Sequence, residues 1–355
     1  MKDRVSDTGN CALSPTVFSS PVRAWPESDK NGNYEAWTFG TVWYDGRDDN
    51  VCLVYNSRKS HTGKDGGVYF RTKKDYGPLS VAIPVALSDE IYGKRAHCAG
   101  MCPNGDYLVI AVHHFDGLSD GDPYVYRSAD RGKNWLNEGK LLINGVFRQT
   151  GELTSLFTTS KGRLLAFNRV SPGNDIEIAF SDDNGRSWKS SPLNKGSAPV
   201  PMEGSFVELS DGTVVCVIRG NFYTGDFTVK QDTYFTKSRD NGCTWSVPEK
   251  LNDIDASFNG VAMVYHDDVK AVEMIYGSRF VSDDGKGSIY RRIVDEKSFA
   301  QGKLGRELKI GSGSGDQNFG YFGACKSKNN VINVFFYDGN HEKTDIYNMV
   351  GRRPQ

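Results

Sequence analysis

The chain lacks the sequence features of membrane-spanning, exported and nucleic-acid-binding proteins. No apolar run reaches the roughly 18 residues that a membrane helix needs. The start, Met1-Lys2-Asp3-Arg4, has no apolar core of the kind found in signal peptides. The 43 Lys and Arg residues nearly balance the 44 Asp and Glu residues, so the formal charge is only -1. Without a basic surplus, we expect neither a nucleic acid nor an anionic membrane as a partner.

Cysteines and clusters of metal ligands are also scarce. The 7 cysteines are odd in number and fall mostly within predicted strands. This favours buried free thiols, in a protein made in a reducing compartment, over a disulfide framework. Cys98 and Cys102, beside His97, have no second pair at the spacing of zinc ligands. We therefore predict neither a structural metal nor a cofactor.

Long helical periodicity is missing as well. Instead, short apolar runs alternate with turns rich in Asp, Asn and glycine, of which the chain has 39. Such alternation is typical of β-hairpins. The plan recurs in six repeats, which begin near Phe39, His97, Glu152, Glu203, Gly260 and Phe319. This pattern predicts an all-β chain that forms a six-bladed β-propeller of four-stranded antiparallel blades.

The predicted propeller accounts for nearly the whole chain. We expect residues 21–355 to form a single domain, because no linker-like composition interrupts them. Residues 1–20 are polar and unpatterned, and they are predicted to form an N-terminal arm or a strand that closes the last blade. The Gly/Ser stretch at 311–315 is predicted to be a short flexible loop rather than a domain boundary.

One pattern, S-x-D-x-G-x-T-W or a close variant, punctuates the repeats. Three complete copies, here called Asp boxes, occupy residues 128–135, 181–188 and 238–245, and degenerate copies stand near Asp75 and at 295–299. The Asp residues recur roughly every 55 positions, a period typical of propeller blades. Asp favours the turn, Gly supplies a positive φ, and Trp covers the turn with apolar surface. We therefore interpret the boxes as structural.

Polar residues at the ends of inner strands are the candidates for a functional site, because such ends meet around the axis of a propeller. Glu203 opens the fourth repeat. Arg219 and Arg279 end the second strands of the fourth and fifth repeats, at positions that we interpret as equivalent. Two guanidinium groups suit a carboxylate ligand, and a nearby carboxylate suits acid–base work on a glycosidic bond. Arg58 and His61 end the matching strand of the first repeat and are further candidates.

The chain resembles the sialidase superfamily and, more closely, the bacteriophage endosialidases, tailspike enzymes that cut polysialic acid capsules. The matching pieces follow the family's order across nearly all of residues 22–345. They are Ala24-Trp25-Pro26-Glu27, Ser57-Arg58 through His61, Glu203 through Arg219-Gly220, the box at 238–245, Gly277-Ser278-Arg279, and Phe319-Gly320 through Gly339-Asn340-His341. The box alone is moderately specific, whereas the ordered set is a much stronger signal.

The resemblance implies roles for individual residues. Glu203 matches the catalytic Glu of the family, and His61 matches an active-site His. Arg219 and Arg279 match arginines that bind the sugar carboxylate. Trp25 matches a Trp that stacks on a sugar.

Departures from the family's pattern leave alternatives open. Residues 37–41 lack the Arg of exo-acting sialidases, in agreement with the phage enzymes, while Asp65 lies near the position of the exo-sialidase acid. Tyr321 falls where exo-sialidases carry their nucleophile. We interpret Tyr321 either as an aromatic of the pocket wall or as a nucleophile that Glu203 deprotonates in a retaining reaction. The small β-domain that endosialidases insert in their propeller is missing.

The leading hypothesis is a phage-tailspike glycoside hydrolase that cleaves an acidic, sialic-acid-containing capsular polysaccharide. Glu203 would be the base, and His61 or Asp65 the acid. By family analogy, the protein would be a homotrimer in the tail of a phage virion. Two alternatives stay open: an exo-sialidase that uses Tyr321 as nucleophile, and a non-catalytic propeller that binds a glycan receptor. A protein-binding scaffold is the least favoured interpretation.

Overall fold

The computed structural model describes most of the chain, namely residues 16–60, 65–88, 93–101, 106–115, 122–147, 150–170, 175–193, 200–223, 229–251, 260–278, 287–314, 318–340 and 342–353. His61 and Arg279, two of the predicted site residues, lie outside these ranges. In the described part the secondary structure is almost entirely strand. No helix there is long and apolar enough to cross a membrane.

The strands follow one another along the chain with little helix between them. The first half contains β1 (Val17–Phe18), β2 (Val22–Arg23), a 3-10 helix (Glu27–Asp29), β3 (Tyr34–Ala36), β4 (Val42–Asp45), β5 (Asn50–Arg58), β6 (Gly67–Lys73), β7 (Ile83–Leu87), β8 (Gly93–Met101), β9 (Leu108–Phe115), β10 (Asp122–Ser128), β11 (Leu136–Lys140), β12 (Leu142–Ile143) and β13 (Val146–Phe147). The second half contains β14 (Thr150–Thr158), β15 (Leu164–Val170), β16 (Asp175–Ser181), β17 (Lys189–Leu193), β18 (Val200–Glu208), β19 (Val214–Tyr223), β20 (Val229–Ser238), β21 (Glu249–Lys250), β22 (Ala262–His266), β23 (Ala271–Ser278), β24 (Ser288–Asp295), α1 (Glu296–Phe299), β25 (Leu308–Ser312), β26 (Asn318–Lys326), β27 (Val331–Gly339) and β28 (Thr344–Arg352).

Consecutive strands pair antiparallel into blades. Four blades are separate four-stranded sheets, formed by β8–β11, β14–β17, β18–β21 and β22–β25. The first blade (β3–β7) and the last (β26–β28) are joined into one 10-stranded sheet by a parallel bridge between Thr344 and Tyr34. Strands β1 and β2 pair with β28, with Val17 opposite Arg352. The beginning of the described chain thus supplies the outer strands of the last blade.

The blades close into a ring. The innermost strands contact one another in the order β4, β8, β14, β18, β22, β26 and back to β4. The hydrophobic core is divided in the same way, into six clusters that each lie between two neighbouring blades. The predicted all-β propeller with four-stranded antiparallel blades is therefore confirmed.

Each blade is buried on both faces. Successive residues of a strand point to opposite sides of the sheet. In β15, Leu164 and Ala166 join the core shared with the preceding blade, whereas Leu165 and Phe167 join the core shared with the following blade. Such strands therefore read as continuous apolar runs instead of alternating ones. Every blade depends on both of its neighbours for burial of its apolar side chains.

The complete Asp boxes adopt one geometry, at the turns between the third and fourth strands of their blades. In the third box, the Ser238 hydroxyl donates to Asp240 at 2.7 Å and accepts from the Gly242 amide at 2.8 Å. Asp240 also accepts from the Thr244 amide at 2.9 Å. Burial by itself would raise the pKa of Asp240, but the hydrogen bonds from Thr244 and Ser238 lower it to about 2. The other two boxes repeat these contacts.

The glycines of the first and third boxes, Gly132 and Gly242, pack closely against the preceding blade. A Cβ atom on Gly132 would lie 2.2 Å from the Phe70 ring, and one on Gly242 would lie 2.7 Å from Leu165. Both glycines also have a positive φ, of 83° and 81°. Glycine is therefore required for conformation and for space alike. The boxes join blades together, which agrees with their structural interpretation.

The two degenerate copies lie at the same place in their blades. Asp75 falls between β6 and β7, where it accepts hydrogen bonds from Ser327 and Asn329 of the last blade. Asp295 ends β24, where it caps the short helix α1 by accepting from the Ser298 amide. The turn geometry is lost in both copies, but the aspartate still binds a neighbouring backbone or blade.

Two glycine-to-alanine substitutions separate two losses of unfolding free energy. One comes from the left-handed backbone, and the other comes from steric collision. Gly212 has a φ of 82°, and a Cβ atom added to it meets nothing within 4 Å. Gly212→Ala should therefore lose only about 1 kcal/mol of unfolding free energy, from the left-handed backbone. Gly242→Ala should lose a further ~1–3 kcal/mol, because its methyl group would collide with Leu165. Denaturant unfolding measures both; equal losses would contradict the packing role of the box glycine.

Candidate active site

Glu203, Arg219 and Tyr321 form one hydrogen-bonded cluster across the propeller. The Tyr321 hydroxyl donates to Glu203 Oε1 at 2.8 Å, over a sequence separation of 118 residues. Arg219 Nη1 donates to Glu203 Oε2 at 3.1 Å and to the Tyr321 oxygen at 3.1 Å. Glu203 and Arg219 are 3% and 8% exposed, whereas Tyr321 is partly exposed. The structure thus brings together three of the residues that the sequence singled out.

Irregular backbone places these side chains. Glu203 lies directly opposite Arg219 in the β18–β19 ladder, immediately after a register shift in β18. In β26 the register shifts between Gly320 and Gly323, and Tyr321 at this bulge has a φ of 54°. A bulge re-aims a side chain relative to the regular pleat. A left-handed φ is unusual for an aromatic residue and is typical of functional sites.

The cluster combines a carboxylate, a phenol and a guanidinium. The Glu203 carboxylate lies within proton-transfer distance of the Tyr321 hydroxyl. A tyrosine that gives its proton to a carboxylate becomes a phenolate, which is a nucleophile. The Arg219 guanidinium contacts both oxygens and would stabilise negative charge on either of them. This arrangement suits covalent catalysis, because the carboxylate can accept the proton of an attacking hydroxyl.

Three aromatic rings that the sequence did not single out as site residues surround Tyr321. The Tyr337 ring is stacked on it at 5.8 Å between centroids, and the Trp37 ring lies at 6.2 Å. Phe39 meets the Tyr321 ring edge-on at 6.2 Å. Trp37 also has a positive φ, of 64°. The available signal was the stretch 37–41, which attracted attention only for its lack of Arg and which lies between β3 and β4.

Arg58 contacts the site indirectly, because its guanidinium packs on the Trp37 ring. Arg58 ends β5, is 2% exposed, and places its guanidinium carbon 5.1 Å from the centre of the Trp37 ring. This is the geometry of a cation–π contact. Trp37 in turn contacts Tyr321. Arg58 therefore supports the aromatic wall of the site, and its direct contact with a substrate stays a prediction.

The predicted equivalence of Arg219 and Arg279 stays a prediction. The second strands β19 and β23 begin at Val214 and Ala271, each paired with the last residue of the preceding strand. Counted from these hairpins, the level of Arg219 corresponds to Tyr276 in β23, three residues before Arg279. Arg279 follows directly after Ser278, the last residue of β23, and itself lies outside the described residues.

Of the two predicted acids, Asp65 lies within the described residues and His61 does not. Asp65 lies in the connection between β5 and β6, has a 40% exposed side chain, and forms an ion pair with Lys59 at 3.6 Å. His61 stands in the same connection but outside the described residues. In the ranges that the structure covers, no three His, Cys, Asp or Glu side chains gather as a metal site would require.

Trp25 is enclosed by protein, which does not fit the predicted stacking on a sugar. Its side chain is 5% exposed, and its indole nitrogen donates to Glu35 Oε2 at 2.8 Å. The Arg71 guanidinium carbon lies 4.4 Å from the centre of the Trp25 ring, and the Tyr55 ring lies at 4.8 Å. These neighbours cover the ring surface that a sugar would need. Trp25 instead supports a buried carboxyl group next to the site.

The buried carboxyl group of Glu35 should make the unfolding free energy depend on pH. Burial raises the pKa of Glu35 to about 7, although hydrogen bonds from Asn31 and Trp25 oppose the rise. A raised folded-state pKa means that the stability is present below the unfolded pKa and is lost as the pH rises through 7. We expect the unfolding free energy to fall by roughly 3 kcal/mol between about pH 4.5 and 7.5 from this group.

The variant Glu35→Gln should remove this part of the pH dependence of the unfolding free energy. Glu249→Gln is the matched control, because Glu249 lies exposed on β21. It removes the same charge from the surface and should leave the slope in place. An unchanged slope in Glu35→Gln would contradict the assignment.

Comparisons with known proteins agree with the fold. No family model matches the chain, and no curated protein matches it by sequence. Among solved structures, a protein of unknown function from Dyadobacter fermentans aligns with a TM-score of 0.72 and 17% identity, over 92% of this chain and 97% of that one. The NanB sialidase of Streptococcus pneumoniae aligns with a TM-score of 0.66 and 14% identity, over 95% and 70%. The phage phi92 endosialidase aligns with a TM-score of 0.69 and 10% identity, over 97% and 70%. The chain therefore has the β-propeller fold of the sialidases.

Proposed function

We propose that the protein is a retaining glycoside hydrolase of the sialidase type, with Tyr321 as nucleophile and Glu203 as its general base. One observation carries this proposal: the Tyr321 hydroxyl donates to Glu203 at 2.8 Å while Arg219 contacts both groups. A tyrosine of the pocket wall alone would not need a buried carboxylate and a guanidinium on its hydroxyl. The contact therefore favours the exo-sialidase alternative over the interpretation of Tyr321 as a wall residue.

The reaction would proceed in two displacements. Glu203 accepts the hydroxyl proton, and the Tyr321 oxygen forms a bond to the anomeric carbon while the bond to the leaving oxygen breaks. The leaving oxygen takes a proton from a general acid, for which Asp65 and His61 are the candidates. Water then attacks the same carbon and gives one proton to the conjugate base of the general acid, while the bond to Tyr321 breaks and Glu203 returns its proton to the phenolate. Two inversions retain the configuration of the sugar.

The charges of the cluster suit a sugar with a carboxylate on its anomeric carbon, as sialic acid has. A carboxylate bound to Arg219 would lie next to the Tyr321 oxygen, because the guanidinium and the hydroxyl are 3.1 Å apart. The anomeric carbon would then face the nucleophile. A neutral phenol also avoids the repulsion that a carboxylate nucleophile would meet at such a carbon. Arg279 would be the second arginine on the same substrate group, as the resemblance implies.

A second candidate function is cleavage within an acidic polysaccharide by a phage tailspike. The observation in its favour is the similarity to the phi92 endosialidase, which spans 97% of this chain. A place in a phage tail, a capsular substrate and a homotrimeric assembly belong to this candidate. Both candidates use the same fold, and they differ in how the substrate lies across the site.

Substitutions at the cluster test the proposed chemistry. Tyr321→Phe and Glu203→Gln should each lower kcat on an aryl sialoside by at least ~100-fold, the scale of general acid–base groups. Tyr265→Phe is the matched control, because the Tyr265 hydroxyl also donates to a glutamate, Glu296, at 2.6 Å. Its kcat should stay within about threefold of the wild type. Wild-type turnover by Tyr321→Phe would overturn the assignment of the nucleophile.

The product pattern separates the two candidates. An exo-acting enzyme releases free monosaccharide from polysialic acid from the first minute, whereas an endo-acting enzyme first yields intermediate oligomers. We expect free monosaccharide, because the cluster has the base and nucleophile of an exo-sialidase. Sized chromatography of a time course measures this. Binding to the polymer without new reducing ends would instead indicate a non-catalytic glycan receptor.

A further inference from the structure

The backbone around Tyr321 is held from two neighbouring blades. From the first blade, Thr38 Oγ1 donates to the Tyr321 carbonyl at 2.5 Å. From the fifth blade, the Gly260 carbonyl accepts from the Phe322 amide at 3.3 Å. A Cβ atom on Gly260 would lie 3.1 Å from the Tyr321 Cα, so the fifth blade comes this close because residue 260 is a glycine. The bulge therefore lies between two blades, and each of them forms a hydrogen bond with its main chain.

Thr38 is built into this position. It is fully buried, with 0% exposure, in the irregular stretch between β3 and β4. Its main chain packs on β26 at Gly323, where a Cβ atom would lie 2.0 Å from the Thr38 carbonyl oxygen. Thr38 Oγ1 also lies 3.1 Å from the Phe335 carbonyl. A hydroxyl has one proton to donate, and the shorter contact is the one to Tyr321.

The conformation of Tyr321 needs such support. Its φ of 54° is unfavourable for a residue with a side chain, and strained residues persist only where their surroundings hold them. In the proposed reaction the phenol must meet both Glu203 and the anomeric carbon. A displacement of about 1 Å at such a group can lower the rate by up to about 100-fold. The main-chain contacts of Tyr321 should therefore affect the reaction rate, although they lie away from the reacting atoms.

We propose that Thr38 is a positioning residue for the nucleophile. Its hydroxyl holds the Tyr321 main chain in the left-handed conformation that directs the phenol at Glu203. This inference rests on the proposed function, since it assigns Thr38 a role in the same reaction. Thr38 touches neither the substrate nor the reacting atoms in this role.

The experiment compares Thr38→Val with Thr38→Ser. Thr38→Val keeps the shape but removes the hydroxyl, and it should lower kcat by about 10- to 100-fold while KM stays within about threefold. Thr38→Ser keeps the hydroxyl and should stay within about threefold of the wild type in kcat. If Thr38→Val does not fold, Thr38→Ala removes the same hydroxyl without placing a methyl group against the Tyr321 carbonyl, and the same criteria apply.

A matched control separates positioning from stability. Thr236 is also fully buried, and its hydroxyl also donates to a main-chain carbonyl, that of Ser246, at 2.5 Å in the fourth blade. Thr236→Val should lower the Tm to a similar degree as Thr38→Val but leave kcat unchanged below the Tm. Wild-type kcat in Thr38→Val, or an equal loss in Thr38→Ser, would overturn the inference alone. A wild-type protein without turnover on any sialoside would instead overturn the proposed function.

Discussion

The structure depends on the close contact between neighbouring blades. Each sheet is buried on both faces, and in the described residues the buried apolar side chains form six clusters, each between two blades. No blade can bury its apolar surface alone, so the repeats are stable only as a closed ring. Two further features help to close the ring. A box glycine leaves room for the preceding blade, as Gly242 does for the Leu165 side chain, and β1 and β2 pair with β28.

The candidate site lies at the contacts between blades and uses them. Glu203 and Arg219 come from the fourth blade and Tyr321 from the sixth, while Thr38 of the first blade and Gly260 of the fifth hold the Tyr321 main chain. A small change in the packing of any of these blades would move the Tyr321 hydroxyl relative to Glu203. A rigid, closed ring is therefore a condition for the proposed chemistry, because each blade supplies only part of the site.

The sequence predicted the features that local chemistry determines. Hairpin turns and Asp boxes predicted the propeller, and the pairing of Glu203 with Arg219 follows from one hairpin. The place of Arg279 relative to Arg219 stays a prediction, because Arg279 lies outside the described residues. The contact of Tyr321 with Glu203 depends on a bulge and a left-handed φ at a tyrosine, for which no sequence pattern is specific. The sugar-stacking role of Trp25 came from the resemblance, and the burial of its ring against Glu35 is a tertiary contact that no local sequence pattern indicates.

The most direct test of the central claim is covalent capture of the nucleophile. A sialosyl fluoride with a second fluorine on the carbon next to the anomeric centre should glycosylate the enzyme and release it slowly, because the electron-withdrawing fluorine destabilises the oxocarbenium-like transition state. Intact-mass and peptide analysis should find one glycosyl group, attached to Tyr321, and none in Tyr321→Phe. Turnover of an ordinary sialoside together with an adduct on any other residue would contradict the account.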